Sequence, residues 1–286
     1  SKRLFERAED LLADPDIDIV SIASYDDAHF EQCKLAIAHG KHIYVEKPFC
    51  MHAEHAHEIR QLLEANPGIR FSSNHVLRVS SRFQELKQRI QGGEFGEIYY
   101  LEGDYQYGRL HKITTSWRGE IPFYSVVYGG AVHVIDLLLW LTEDEVVEVS
   151  AYGNQIASRQ TQFRFNDMVA AILKLKSGAI AKVTANFGCK RPHFHAIEVF
   201  GTQKSFVNRP GAAEIWQSSE KGDAPTEMET PYRDYQKPDL ICSFIDWILG
   251  RSEPLVTPDD VFRTMATCFA VERAAAEGKP IQVERI

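Results

Sequence analysis

Apolar positions recur at helical spacing over Ser1–Ala13, at Leu4, Phe5, Ala8, Leu11 and Leu12, and Asp14-Pro15-Asp16 ends the run. Ile17–Ser21 is β-branched and predicts a buried strand, with Ala23–Asp27 as the loop at its carboxyl end. Phe30, Cys33, Leu35, Ile37 and Ala38 predict a helix over Asp27–His39, closed by Gly40 just past its end. His42–Val45 predicts a second strand, which runs directly into Glu46-Lys47-Pro48. Pro48 has no N–H and biases Lys47 away from helix, so the chain must turn there. A helix over about His52–Ala65 stops at Asn66-Pro67-Gly68, and Ile69–Ser73 predicts a third strand, ending at Asn74-His75. Strands and helices that alternate on short links predict a parallel sheet wound by right-handed crossovers.

After a helix over Arg82–Ile90 the period changes. Ile98–Tyr105, Val146–Tyr152, Met168–Lys176, Ala179–Phe187 and His195–Phe200 predict strands, and Lys176-Ser177-Gly178 predicts a hairpin turn. An apolar helix over Gly129–Leu141 lies between the first two. Late helices are predicted over Pro238–Leu249 and Pro258–Glu277, the second with Thr257 as N-cap and Pro258 at N1. The fold class is α/β: an incomplete Rossmann-type parallel-sheet domain over 1–77, then an α+β domain with a mostly antiparallel open sheet over 78–286. The late helices are expected to pack back on the first domain. The parallel domain reads as incomplete because a dinucleotide fold opens on a strand, a GxGxxG turn and a helix, and the sequence contains no GxGxxG. A first βαβ unit of roughly 30 residues or more is expected upstream.

Composition narrows the function. The net charge of −8 argues against nucleic acid or an anionic membrane as partner. No apolar run is long enough to span a bilayer, and no signal-peptide pattern opens the chain. The five cysteines are scattered and form no CxxC pair, which points to reduced thiols in a cytoplasmic protein rather than a disulfide or zinc framework. No metal site is expected: there is no HExxH, and the alternation of His193 and His195 on a strand reads as chance.

Two stretches carry candidate chemistry. KHIYVEKPFC puts a carboxylate and an ammonium at the carboxyl end of a sheet, where ligands bind in open α/β folds; a surface salt bridge is the plain alternative. In the helix that begins Tyr128-Gly129-Gly130, His133 and Asp136 share a face and interrupt an otherwise apolar run. Imidazole suits proton transfer near neutral pH, and the glycines permit close backbone approach.

Taken in order, the EKP strand end, Asn74, Trp117-Arg118 and a glycine-led helix with HxxD resemble the glucose–fructose oxidoreductase/inositol dehydrogenase family. The likeness runs from Leu11 to about Val283 and also takes in Asp18-Ile19-Val20, His29 and Gly40-Lys41-His42. It implies an NAD(P)-dependent oxidoreductase acting on a sugar, cyclitol or related polyol. It places cofactor contacts at Ser24, His29, Glu46, Lys47, Asn74, Trp117 and Arg118, with Lys47 between nicotinamide and substrate and His133 as general acid/base. It also implies a homo-oligomer, dimer or tetramer, through the second-domain sheet. An open apolar sheet face rarely stays bare, and alternation over Met168–Phe187 puts Val169, Ala171, Leu173 and Leu175 on one face. One departure stands out. Many members carry an aspartate four residues before the histidine, and Gly129 occupies that position here; Tyr124 and Tyr128 offer hydroxyls but lack that spacing. Two other readings follow from these gaps. One is net non-redox sugar chemistry on a tightly bound nicotinamide. The other is a catalytically decayed sugar- or cofactor-binding regulatory protein.

Overall fold

The computed structural model of the protein describes residues 3–232 and 238–286. The chain divides into two compact units. The first comprises Ser1–His75, Lys237–Arg263 and Ile286, and the second Val76–Gln236 and Thr264–Arg285.

The first unit opens on the short helix α1 (Ala8–Ala13). The predicted helix over Ser1–Ala13 is therefore confined to its second half. Ser1 and Lys2 lie outside the described residues, and Leu4 is almost fully exposed and contributes nothing to an apolar face. Strands β1 (Ile19–Ile22), β2 (His42–Val45) and β3 (Phe71–Ser73) form a parallel sheet in that order. Helices α2 (His29–Ala38) and α3 (Ala53–Ala65) make the crossovers. Val20, Ile22, Ile43, Val45 and Phe71 bury the sheet, and Cys33, Ala36, Ile37, Ala56 and Ile59 are the buried residues of the helices. Gly40 takes the positive φ of 68° that ends α2, and its N–H bonds the Ile37 carbonyl at 2.9 Å. Lys41 is buried, and its ammonium donates to the carbonyls of Asp14 and Ile17, each at 2.7 Å, which pins the loop before β1.

The second unit begins near α4 (Ser81–Gln91) and is built on a sheet of nine strands. In chain order these are β4 (Ile98–Gln106), β5 (Val146–Asn154), β6 (Met168–Leu175), β7 (Ile180–Asn186), β8 (Phe194–Gly201), β9 (Ser205–Val207), β10 (Ala213–Trp216), β11 (Thr226–Met228) and β12 (Ile281–Gln282). The spatial order is β11-β10-β9-β8-β4-β7-β6-β5-β12. Pairing is antiparallel except for β4 with β7. The β6–β7 hairpin turns at Gly178, whose φ is 99°. A short helix α5 (His111–Thr114) follows β4, and α6 (Val132–Thr142) lies on the sheet. Gly103 of β4 lets the helix approach closely: a Cβ there would stand 3.1 Å from both Val134 and Leu138. Val169, Ala171, Leu173 and Leu175 are buried in this helix-facing core, so the apolar set picked out by alternation is not the open face. The open face instead carries Ile172 and Ile180, each nearly half exposed, with Tyr152, and a polar cluster in which Lys182 bridges Glu102 and Asp104.

Asp136, although one turn from His133, belongs to the framework. Its carboxylate receives two guanidinium N–H groups of Arg78, at 2.9 and 2.7 Å, and the Thr264 hydroxyl at 3.3 Å. Both ends of that ion pair are buried, so removing either partner would strand a charge out of water. Between β11 and β12 come α7 (Asp239–Ile248) and α8 (Pro258–Glu277), which is divided between the units after Arg263. Thr257 and Asp260 close a reciprocal capping box: the Asp260 N–H donates to the Thr257 hydroxyl at 3.1 Å, and the Thr257 N–H donates to the Asp260 carboxylate at 2.9 Å.

Candidate functional site

At the carboxyl edge of the parallel sheet, β2 and β3 end side by side, which brings Glu46 next to Asn74. The Asn74 amide donates to the Glu46 carboxylate at 2.8 Å, and its carbonyl oxygen accepts the Tyr44 hydroxyl at 3.2 Å. Asn74 N–H also bonds the Val45 carbonyl at 3.3 Å. The three side chains thus lock the strand end immediately before Lys47. Lys47 is half-buried, and the Lys47–Pro48 peptide is cis. Phe49 anchors the following turn between Phe71 and Phe262, edge-on at 5.5 and 5.2 Å. The lysine therefore extends from a rigid base.

The loop after β1 supplies Ser24 and His29. Ser24 is exposed and donates its hydroxyl to Gln32 at 2.7 Å. His29 is fully buried, with Nδ1 facing the Pro48 carbonyl at 2.7 Å and Nε2 facing the Ser24 carbonyl at 3.1 Å. Its ring ties the Ser24 loop to the Lys47–Pro48 turn, so its effect on any ligand runs through those two loops.

In the second unit, the backbone from Val127 to Ala131 forms a π-helical turn that leads into α6. Such turns insert one extra residue and recur at functional sites. Both glycines here are required. A Cβ on Gly130 would come within 2.6 Å of Tyr105 and 2.8 Å of Phe187. A Cβ on Gly129 would collide with the Tyr124 hydroxyl and lie 2.8 Å from its Cζ. Tyr124 thus delivers its hydroxyl to the helix surface one turn before His133, into the space a side chain at 129 would fill. Ser125 caps the same turn: its hydroxyl accepts the N–H groups of Val127 and Tyr128, at 3.0 and 3.1 Å, and donates to Glu272. Burial raises the Glu272 pKa above the usual carboxylate range, and the Ser125 bond offsets this in part.

His133 is nine-tenths buried and sits among aromatic rings. Tyr105 stacks on it at 6.0 Å with an interplanar angle of 23°, and His195 meets it edge-on at 6.2 Å. His193 lies 4.8 Å from His195, and the Tyr232 hydroxyl bonds Nδ1 of His195. The alternation of His193 and His195 therefore brings both to the Tyr105–His133 pair, a grouping their sequence positions did not suggest. Among the described residues no group of three or more histidine, cysteine or acidic side chains is arranged to hold a metal ion. Trp117 and Arg118 lie in a short turn of the same unit, with the guanidinium 4.4 Å over the indole ring.

Comparison with known proteins bears on what these clusters are for. A family description of the NAD-binding Rossmann fold of oxidoreductases matches residues 2–75, and that of the GFO/IDH/MocA C-terminal domain matches residues 83–207. The chain belongs to the GFO/IDH/MocA oxidoreductase family. A 1,5-anhydro-D-fructose reductase of Ensifer adhaerens is 26% identical over 96% of this chain and 83% of its own length. The scyllo-inositol 2-dehydrogenase (NAD(+)) of Bacillus subtilis (strain 168) is 24% identical over 96% of this chain and 80% of its own length. Among solved structures, levoglucosan dehydrogenase in complex with NADH and L-sorbose superposes with a TM-score of 0.86 at 21% identity, covering 98% of this chain and 83% of that one. Myo-inositol 2-dehydrogenase from Lactobacillus plantarum gives 0.83 at 20% identity, covering 98% and 84%. These last two are likenesses of fold. No helix among the described residues is long and apolar enough to cross a membrane.

The strand-end residues suit the family's cofactor. A carboxylate, an amide, a hydroxyl and an ammonium at the carboxyl edge of parallel strands match the hydroxyl-rich, polar chemistry of a nicotinamide ribose. Tyr124 is the residue that its spacing had set aside. Its spacing from His133 is not that of one helix face, and only the paired glycine reveals that its hydroxyl reaches the helix.

Proposed function

We propose that this protein is an NAD(P)-dependent oxidoreductase acting on a sugar, cyclitol or related polyol. The observation that carries the reading is the Tyr44–Asn74–Glu46 set, which fixes the strand end bearing Lys47 in an NAD-binding family domain. Glu46, Asn74, Ser24 and Lys47 would hold the cofactor from the first unit, with His29 bracing the loops beneath them. Trp117 and Arg118 are further cofactor contacts in this reading. The bound nicotinamide supplies the acceptor or donor of the hydride.

The chain's own residues handle protons and position. Lys47 donates hydrogen bonds to the reacting oxygen and lowers the cost of negative charge there. His133 takes the hydroxyl proton during oxidation and returns it during reduction. Tyr124, whose hydroxyl fills the space a side chain at 129 would take, stands in for the aspartate that the family resemblance implies at that position. Tyr105, stacked on the His133 ring, shields that face from water.

Steady-state kinetics of Lys47→Ala and His133→Ala test the assignment. Lys47→Ala is expected to abolish hydride transfer with the fold intact, and His133→Ala to lower the rate by roughly 10²- to 10⁴-fold, the usual scale of acid–base assistance. Full turnover by the lysine variant would remove Lys47 from the reaction, and an unchanged pH–rate curve would remove His133.

A further inference from the structure

The surroundings of Tyr105 are more cationic than the rest of this acidic chain. Residues 107–120 and 188–193 contain Arg109, Lys112, Arg118, Lys190 and Arg191 against a single acidic residue, Glu120, in a protein whose net charge is −8. The two segments are packed together. Tyr107 N–H bonds the Asn186 carbonyl at 2.9 Å, and Gly108, at a φ of 62°, stands so close to the Arg191 carbonyl that a Cβ would collide with it. Elsewhere arginines are mostly neutralised: Arg60, Arg78, Arg89, Arg209 and Arg273 each pair with a carboxylate. None of the five cations here forms an ion pair among the described residues.

Two of them are held in place without being neutralised. The Arg109 guanidinium lies 5.4 Å over the ring of Tyr107, and that of Arg118 lies 4.4 Å over Trp117. Stacking on an aromatic face fixes a guanidinium while leaving its in-plane N–H groups open to an anion. Tyr107 stacks on Tyr105 at 5.6 Å and 23°, and Tyr105 stacks on His133 at 6.0 Å and 23°. Both guanidiniums also act electrostatically on Tyr105. A line of rings thus leads from His133 to Arg109.

We infer that the substrate is anionic: a sugar or polyol that carries a carboxylate or phosphate, whose charged group is received by Arg109 at the end of the Tyr105–Tyr107 stack. A neutral polyol offers Arg109 only hydroxyl acceptors, whereas an anion gains a charge-assisted, bidentate contact. The inference rests on the oxidoreductase reading and narrows its substrate.

Equilibrium binding to the whole protein, saturated with NADH, tests it with three probes of one ring: D-glucose, D-glucuronate and D-glucose 6-phosphate. At least one anionic probe is expected to bind roughly tenfold or more tighter than D-glucose, the scale of one charge-assisted hydrogen bond. Which one wins identifies carboxylate or phosphate. Arg109→Gln, which keeps a polar stem on Tyr107, should reduce that preference to about twofold or less and leave NADH affinity unchanged. Equal or weaker binding of both anions overturns the inference, as does a preference that survives Arg109→Gln. Loss of NADH binding in Arg109→Gln would assign the arginine to the cofactor and also overturn it. Failure of the unsubstituted protein to bind NADH would instead count against the oxidoreductase reading.

Discussion

At the scale of single residues, Gly129 decides where the Tyr124 hydroxyl can sit. Tyr124→Phe removes one buried hydroxyl and should cost about 1 kcal/mol by thermal unfolding. It is expected to lower kcat by roughly tenfold or more and to alter the pH–rate profile, with little change in KM. A profile that matches the parent protein would exclude Tyr124 from the proton path. Gly129→Ala forces a methyl into the space of that hydroxyl and should cost about 1–3 kcal/mol by thermal unfolding. Glu272 makes a pH prediction with a definite sign. Its folded pKa lies above its unfolded value, so its contribution to stability is greatest at acid pH and is lost as pH rises through the folded pKa. Glu272→Gln keeps an acceptor for Ser125 and removes the charge. It should therefore gain in Tm over the parent protein at neutral and alkaline pH, and lose that gain below about pH 4. A gain that is largest in acid would reverse the assignment. Glu46, Lys47 and His133 were legible because a charged strand end and a polar pair in an apolar helix are local signals, whereas Asn74 was reached only through the family resemblance. Tyr124 and His195 were named from the sequence but set aside, and Arg109 was not reached, because their placement depends on contacts between segments distant in sequence.

At the scale of elements, the strands with strong alternation were legible to within two residues at either end, because period-2 burial on a sheet is written locally. β2 matches its predicted bounds, and so does α8, whose Thr257–Asp260 box marks its start. The short edge strands β9, β10 and β11 were not legible: each has three or four residues, too few for a period. The parallel pairing of β4 with β7 was hidden for a different reason. Local hairpins predict antiparallel neighbours, while β4 enters between β7 and β8, strands made much later in the chain. The π-helical turn was read as ordinary helix, since its extra residue leaves the apolar run unbroken. The capping box gives an element-scale test. Thr257→Ala should cost about 1 kcal/mol, measured by denaturant unfolding, and Thr257→Ser should restore most of it. An unaffected midpoint for the alanine variant would show that α8 does not depend on its cap.

At the scale of the whole molecule, the open face of the nine-stranded sheet leaves Ile172, Ile180 and Tyr152 exposed around the Lys182 cluster. We propose that a second copy of the chain covers it. Ile172→Lys with Ile180→Lys should yield monomers by light scattering where the parent protein gives dimers or tetramers; a monomeric parent would contradict this. The central claim is that the first unit binds a nicotinamide cofactor for chemistry involving Lys47. The most direct measurement is a fluorescence titration of the protein with NADH and with NADPH. A saturable response to at least one of them, shifted or weakened in Asn74→Ala, is the predicted result. No response to either cofactor would contradict the account.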